Sequence, residues 1–264
     1  MTEPAVLLDI ADGIAQITLN HPKARNALSL QMREELGAVV AQVRDDEAVH
    51  AVLLTGAGGA FCSGGDISSM LDTTQSSMAW RERMRKLHRW FPELVNMEKP
   101  VFAAVDGPAF GAGFSLALAA DFILATPRTS FCAVFGRMGL VPDLGAMHLL
   151  PRIVGLQRAK ELVFSARTLP AEEAKAMGIV YDIVPEGELL AQARALAARF
   201  GNASTAALGM TKSIMNQAFQ LDAHAMAEME AYAQTVCRST AYHQQAVEGF
   251  KAKQPVRFDW DRRG

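Results

Sequence analysis

The stretch Val101–Ala125, VFAAVDGPAFGAGFSLALAADFILA, constrains the fold of this chain more than any other. It reads as an apolar strand, a glycine-rich turn, a helix of small and apolar residues, and a second apolar strand. Gly107, Gly111 and Gly113 remove side-chain bulk and permit dihedrals closed to other residues, so something can approach the backbone there. The helical turn that follows opens with N–H groups that have no intrahelical acceptor, which suits developing negative charge. Between Val101 and Ala125 there is no Glu, His or Lys, and the only acids are Asp106 and Asp121. Any acid or base acting here comes from another segment.

The flanking pattern sets the fold class. Ala5–Asp9 and Ile14–Leu19 enclose Asp12-Gly13, a hairpin signal. Ser29 opens a helix to about Arg44, with Met32, Leu36, Val39, Val40 and Val43 on one face. Val52–Leu54 predicts a buried strand ending in TGAGGAFCSGGD, and Trp80–Val95 a helix with Met84, Leu87, Phe91 and Leu94 at helical spacing. Strand, helix, strand, helix in this order predicts an α/β core with crossover connections. Beyond Gly139 the pattern is helical over Gly145–Ile153, Leu156–Phe164 and Ala171–Met177, with a short strand near Ile179–Val184. Further helices start near Glu188, Ser204, Asp222 and Ala241, and their Met-rich faces (Met210, Met215, Met226, Met229) call for a partner subunit. We therefore expect a core domain over 1–190 and a helical oligomerisation region over 191–264.

Several function classes are excluded at this level. A net charge of −2 gives no pull toward nucleic acid or an anionic membrane, and Asp106, Pro108 and Asp121 interrupt the one long apolar segment. Cys62, Cys132 and Cys237 lack the spacing of a disulfide framework or a zinc site, and the six histidines show no metal pairing. The start MTEPAVLLDI has no signal-peptide pattern, so a soluble cytoplasmic protein, or one of an organelle matrix, is expected.

Two glycine-rich turns follow two apolar strands: Gly64-Gly65 after Val52–Leu54, and Gly111-Ala112-Gly113 after Val101–Val105. If the strands are parallel neighbours, both turns reach the same sheet edge and two backbone N–H groups converge on one oxygen. Simple tight turns would use the same glycines. Gly113-Phe114-Ser115-Leu116-Ala117 has the letters of a nucleophile elbow, but Ser115 falls inside the helix rather than at the strand-to-helix turn. Leu116 stands where a dinucleotide fingerprint needs a small residue.

The ordered segments NHPKARNALS (20–29), LLTGAGGAFCSGGDI (53–67), VDGPAFGAGFSLALAADFILA (105–125), GLVPDLGAMHLLPRIVG (139–155) and AKELVFSARTLPAEEAKAMGIVYDIV (159–184) together resemble the crotonase superfamily, the enoyl-CoA hydratases and isomerases. The resemblance implies an α/β spiral of ββα units, a C-terminal helical trimerisation region, trimers or hexamers, and an acyl-CoA thioester substrate whose coenzyme A is part of the substrate rather than a separate cofactor. The positions matching the oxyanion donors are Gly65 and Ala112, acting through backbone N–H. Ser63 and Asp66 flank the first donor in a loop that borders pantetheine and adenine, although Asp66 equally suits an N-cap. Lys23, Arg25 and Ala27 of the first segment, Ile67, and the tail lysines Lys251 and Lys253 are implied as substrate or CoA contacts, the last two serving a neighbouring subunit. Met70, Leu71, Met78, Trp80 and Met84 are candidates for an acyl wall.

Where family hydratases carry two glutamates, this chain has Ser115 and Phe135, and neither is a general base. The acid in the matching neighbourhood is Asp143 of VPDLG, at the place where single-aspartate isomerases, including ring-epoxide isomerases of phenylacetyl-CoA derivatives, carry theirs. Burial against Phe135, Met138 and Leu140 would raise its pKa, as a proton shuttle requires; an N-cap role at the following helix is the plain structural alternative. The expected chemistry is a double-bond shift through a thioester enolate. Hydration, hydrolysis or dehalogenation with Asp143 as nucleophile, and silent acyl-CoA binding are the other readings.

Overall fold

A computed structural model describes residues 3–66 and 76–260. Strands β1 (Val6–Ala11) and β2 (Ile14–Leu19) form the expected antiparallel hairpin, with Asp12 and Gly13 both at positive φ as a two-residue turn needs. From β2 onward the main sheet is parallel: β3 (Ala51–Gly56), β4 (Val101–Val105), β6 (Phe122–Ala125) and β9 (Asp182–Ile183), in the order β1-β2-β3-β4-β6-β9. All five residues of β4 are buried, which explains why its sequence shows an apolar run and no alternation.

Parallel pairing requires crossovers. Helix α1 (Leu30–Asp45), capped by the Ser29 hydroxyl accepting from Met32 N–H at 3.2 Å, connects β2 to β3. Helix α2 (Ser77–Val95) precedes β4 and packs Leu87, Trp90, Phe91 and Leu94 inward, beside Met32, Leu36, Val40 and Val43 of α1. Between β4 and β6 the chain forms β5 (Pro108–Phe110) and α3 (Ala112–Ala117). After β6 come β7 (Ser130–Cys132), a 3-10 turn (Val134–Met138), α4 (Ala146–Val154), α5 (Leu156–Ser165), β8 (Leu169–Pro170) and α6 (Ala171–Ala176). Strands β5, β7 and β8 make a second, three-stranded sheet, so strand, short strand and helix recur as units around a spiral.

The opposite face of the main sheet is closed by α7 (Leu189–Ala198). Its Leu189, Ala193 and Leu196 pack with Leu53, Phe102 and Leu124, and Phe200, Phe258 and Trp260 extend this second core. The expected 190/191 boundary thus falls inside a core element. Beyond it lie α8 (Thr205–Met215), α9 (Ala223–Arg238) and α10 (Ala241–Lys251), and neither α9 nor α10 buries a residue. Among the described residues no helix is long and apolar enough to cross a membrane.

Candidate active site

Because β3 and β4 are parallel neighbours, the two glycine-rich turns leave the sheet at the same edge. Residues 61–64 then run along β5: Phe61 and Cys62 N–H both donate to Pro108 O at 3.2 and 3.1 Å, and Phe110 N–H donates to Cys62 O at 2.9 Å. Main chain touches main chain. A Cβ on Gly64, which sits at φ +101°, would lie 2.7 Å from Phe110 O and 3.6 Å from Ala112 N; one on Gly113 would collide with Cys62 O. Ala112 is the first residue of α3 and follows Gly111 at φ +53°. Neither Gly65 nor Ala112 N–H donates to a protein acceptor among the described residues, which leaves two adjacent backbone donors available to one oxygen. The Cys62 thiol beneath them accepts from Gly64 N–H, and full burial pushes its pKa up to about 12, so it is an inert neighbour and not a nucleophile.

The first matched segment holds this loop in place. Asn26, fully buried at φ +56°, accepts from His21 N–H through Oδ1 and donates to Ala57 O and Ala60 O through Nδ2. Leu28 N–H donates to Gly64 O at 2.8 Å, and the Ser63 hydroxyl donates to Ala24 O at 3.1 Å. Ser63 is therefore engaged in joining two loops. Lys23 and Arg25 are exposed on this rim and Ala27 is buried under it. Asn26 is the residue that sequence reasoning passed over; its position inside NHPKARNALS was the available signal.

Asp143 lies in the loop between the 3-10 turn and α4. The 3-10 turn puts the Phe135 ring 3.9 Å from a Cβ built on Gly111, and Leu140 N–H donates to Phe135 O at 3.0 Å. Leu144 is fully buried at φ +45°, a conformation costing about 1–3 kcal/mol in a non-glycine residue. Gly145 follows at φ +69°, where a Cβ would meet the Phe91 ring at 2.8 Å. The loop is thus clamped onto α2, and Asp143 is held half-buried with its Oδ1 closed from solvent and without a hydrogen-bond partner. Burial raises its pKa; Arg33, His88 and a hydrogen bond from the residue's own backbone N–H oppose this and are outweighed.

One expectation changes here and two alternatives fall away. Asp143 is not the N-cap of α4, since Gly145 occupies that position and no side chain caps the helix. Met138 and Leu140 are 55% and 50% exposed, so they do not supply the burial; the groups facing the carboxyl are Arg33 of α1 and His88 of α2. Ser115 has no exposed surface, and its hydroxyl turns back to donate to Gly111 O at 3.3 Å inside α3, which rules out an elbow and makes it a support of the turn. Arg33, which also faces Asp66, Arg83 and Cys62, was missed because a charge on an amphipathic helix reads as solvated surface. Ile67, Met70 and Leu71 lie outside the described residues. Met78 is exposed, Met84 packs against the core, and Lys251 ends α10, exposed. His148 is exposed on α4 and is not among the groups that face Asp143.

The family model for enoyl-CoA hydratase/isomerase matches residues 9–262. The chain belongs to the enoyl-CoA hydratase/isomerase family. An enoyl-CoA hydratase/isomerase structure from Cupriavidus metallidurans superposes with a TM-score of 0.93 at 38% identity, covering 100% of both chains. The chain is 31% identical over 255 residues to the 1,2-epoxyphenylacetyl-CoA isomerase of Escherichia coli, covering 96% of this chain and 97% of that one. It is 32% identical over 252 residues to the short-chain-enoyl-CoA hydratase of Clostridium acetobutylicum, covering 95% and 96%. Members of the enoyl-CoA hydratase/isomerase family at nearly equal distance thus carry different activities, and the site residues have to discriminate between them.

Proposed function

We propose that the protein is an acyl-CoA isomerase that moves a double bond in an enoyl thioester, or opens and rearranges a ring epoxide of a phenylacetyl thioester, through one enolate and one carboxylate. The observation that carries this is Asp143, a half-buried carboxyl with an unpaired oxygen and a raised pKa, in a chain that also leaves the Gly65 and Ala112 N–H groups without acceptors among the described residues. As carboxylate it takes a proton from C2 of a 3-enoyl thioester. The electron pair moves onto the thioester oxygen, which Gly65 and Ala112 N–H hold as it becomes an enolate; each such donor contributes about 3–4 kcal/mol. Asp143 then returns the proton at C4, leaving the double bond between C2 and C3. One acid that gives back what it takes suffices, whereas addition of water by the route the resemblance describes calls on two glutamates, and Ser115 and Phe135 stand in their places.

Hydratase is the second reading, favoured by the name of the Clostridium relative. It requires Asp143 alone to activate water and return a proton. In the same reading the exposed apolar faces of α8–α10 join subunits into a trimer or hexamer, Lys23 and a neighbour's Lys251 meet CoA phosphates, and no cofactor is needed beyond the substrate's own coenzyme A. Turnover of 3-enoyl-CoA by wild type and Asp143→Asn across pH tests the assignment. Since the base must be ionised, kcat/KM should rise with pH through a limb above the ordinary carboxylate value of about 3.9, and Asn should lower it by about 10²–10⁴-fold. Retained activity in the Asn variant would remove Asp143 from the mechanism.

A further inference from the structure

Arg33 is a cation that makes no direct ion pair among the described residues, although two acids lie within electrostatic reach. It stands on the inner side of α1, half-buried, and its Nε is closed from solvent with no hydrogen-bond partner. It faces Asp143, Asp66, Arg83 and Cys62, the last only three residues before the Gly65 donor. Arg33 and Asp143 lie within electrostatic reach of each other, yet Asp143 Oδ1 is as unpartnered as Arg33 Nε. Beside them a cleft between α1 and α2 is lined by Leu30, Gly37, Leu87 and Trp90 together with Arg33 and Arg83. Lys86 and Glu34 complete the lining, so its walls are largely apolar and its three cations outnumber its one acid.

We propose that Arg33 is a specificity-determining residue that receives an oxygen acceptor carried on the acyl chain, so that the preferred substrate is an oxygenated acyl thioester and not a plain hydrocarbon one. The inference rests on the reading of this site as an acyl-CoA isomerase site. A guanidinium keeps its charge at any working pH and offers five donors in a planar fork. Water can solvate it in the free protein, but a plain acyl chain expels that water and leaves the charge unpaired in an apolar cleft, a strongly unfavourable outcome. An acyl oxygen removes the penalty, whether it belongs to a terminal carboxylate or to a neutral ether or ring oxygen. Direct pairing of Arg33 with Asp143 would instead hold the carboxyl ionised and lower its value as a base, and its raised pKa argues that burial prevails over such pairing.

The test uses saturated, non-reacting CoA thioesters of equal length: one hydrocarbon, one with a terminal carboxylate, one with a neutral ring oxygen. Their Kd values are measured by calorimetry on wild type, Arg33→Met and Arg33→Lys. Wild type should bind one or both oxygenated thioesters at least about tenfold more tightly than the hydrocarbon. That ratio should approach one in Arg33→Met and recover in part in Arg33→Lys; which oxygenated arm gains identifies the acceptor. Equal binding of all three by wild type, or an unchanged ratio in Arg33→Met, overturns the proposal. So does an Arg33→Met effect confined to the pH profile of turnover, which would mean that Arg33 acts only on Asp143. If the binding preference holds while 3-enoyl and ring-epoxide thioesters turn over equally in wild type and Asp143→Asn, the isomerase reading fails and the role of Arg33 stands.

Discussion

Burial takes the Asp143 carboxyl out of water while leaving its Oδ1 without a donor, so the charged form loses more in hydration than its own backbone N–H, Arg33 and His88 return. Its folded-state pKa lies above the unfolded value. Between those two values the folded chain holds more protons than the unfolded one, and raising the pH through that window lowers stability. Asp143→Asn removes this cost. Thermal unfolding should show the Asn variant a few degrees more stable near about pH 7, with the gain shrinking toward about pH 3, where both side chains are neutral. A variant less stable than wild type at neutral pH would mean that the carboxylate is stabilised by contacts, which does not fit a base kept available for chemistry. At this scale the sequence was legible where a motif surrounded the residue. Asp143 stood out within VPDLG, whereas Arg33 looked like any helical surface charge, because nothing in the local pattern states which neighbours a crossover helix will meet.

The site is assembled from backbone more than from side chains. Gly64 and Gly113 exist because β5 and the loop before Gly65 lie in contact, and Asn26 fastens a third loop to the latter. Gly64→Ala puts a side chain at φ +101° and 2.7 Å from a carbonyl oxygen, so it should cost more than about 1–3 kcal/mol and abolish turnover. Gly201→Ala, with open space around it and ordinary φ, should stay within about 0.5 kcal/mol of wild type. Denaturant unfolding of the pair measures this, and equal losses would contradict the turn-on-turn account. Long periodic elements were readable in advance: α1 ends within a residue of the expected span, and β4 matches it. The second sheet was not, since β5 and β7 have three residues each and β8 two, too short for any alternation to register. Their pairing is set by which turns the main sheet brings together.

As a whole the molecule has two filled cores on either side of the main sheet and a C-terminal end whose apolar groups have no cover within one chain. Phe219, Tyr232 and Phe250 are 75%, 69% and 81% exposed. Exposed aromatics of this kind, on two consecutive helices and the turn before them, favour subunit contact. We expect sedimentation to show a trimer or hexamer, and Tyr232→Asp combined with Phe219→Asp to shift it toward monomer; a wild-type protein that sediments as a monomer at micromolar concentration contradicts this. The proposed reaction is also a property of the whole molecule, because the two candidate donors come from turns after β3 and β4 while the candidate carboxyl comes from the loop before α4. The most direct measurement is the mass and double-bond position of the product formed when wild type and Asp143→Asn are each given 3-enoyl-CoA and 2-enoyl-CoA. The account predicts products of unchanged mass with the double bond moved, formed by wild type and lost in the Asn variant. A product heavier by one water, formed from 2-enoyl-CoA equally by both proteins, would contradict it.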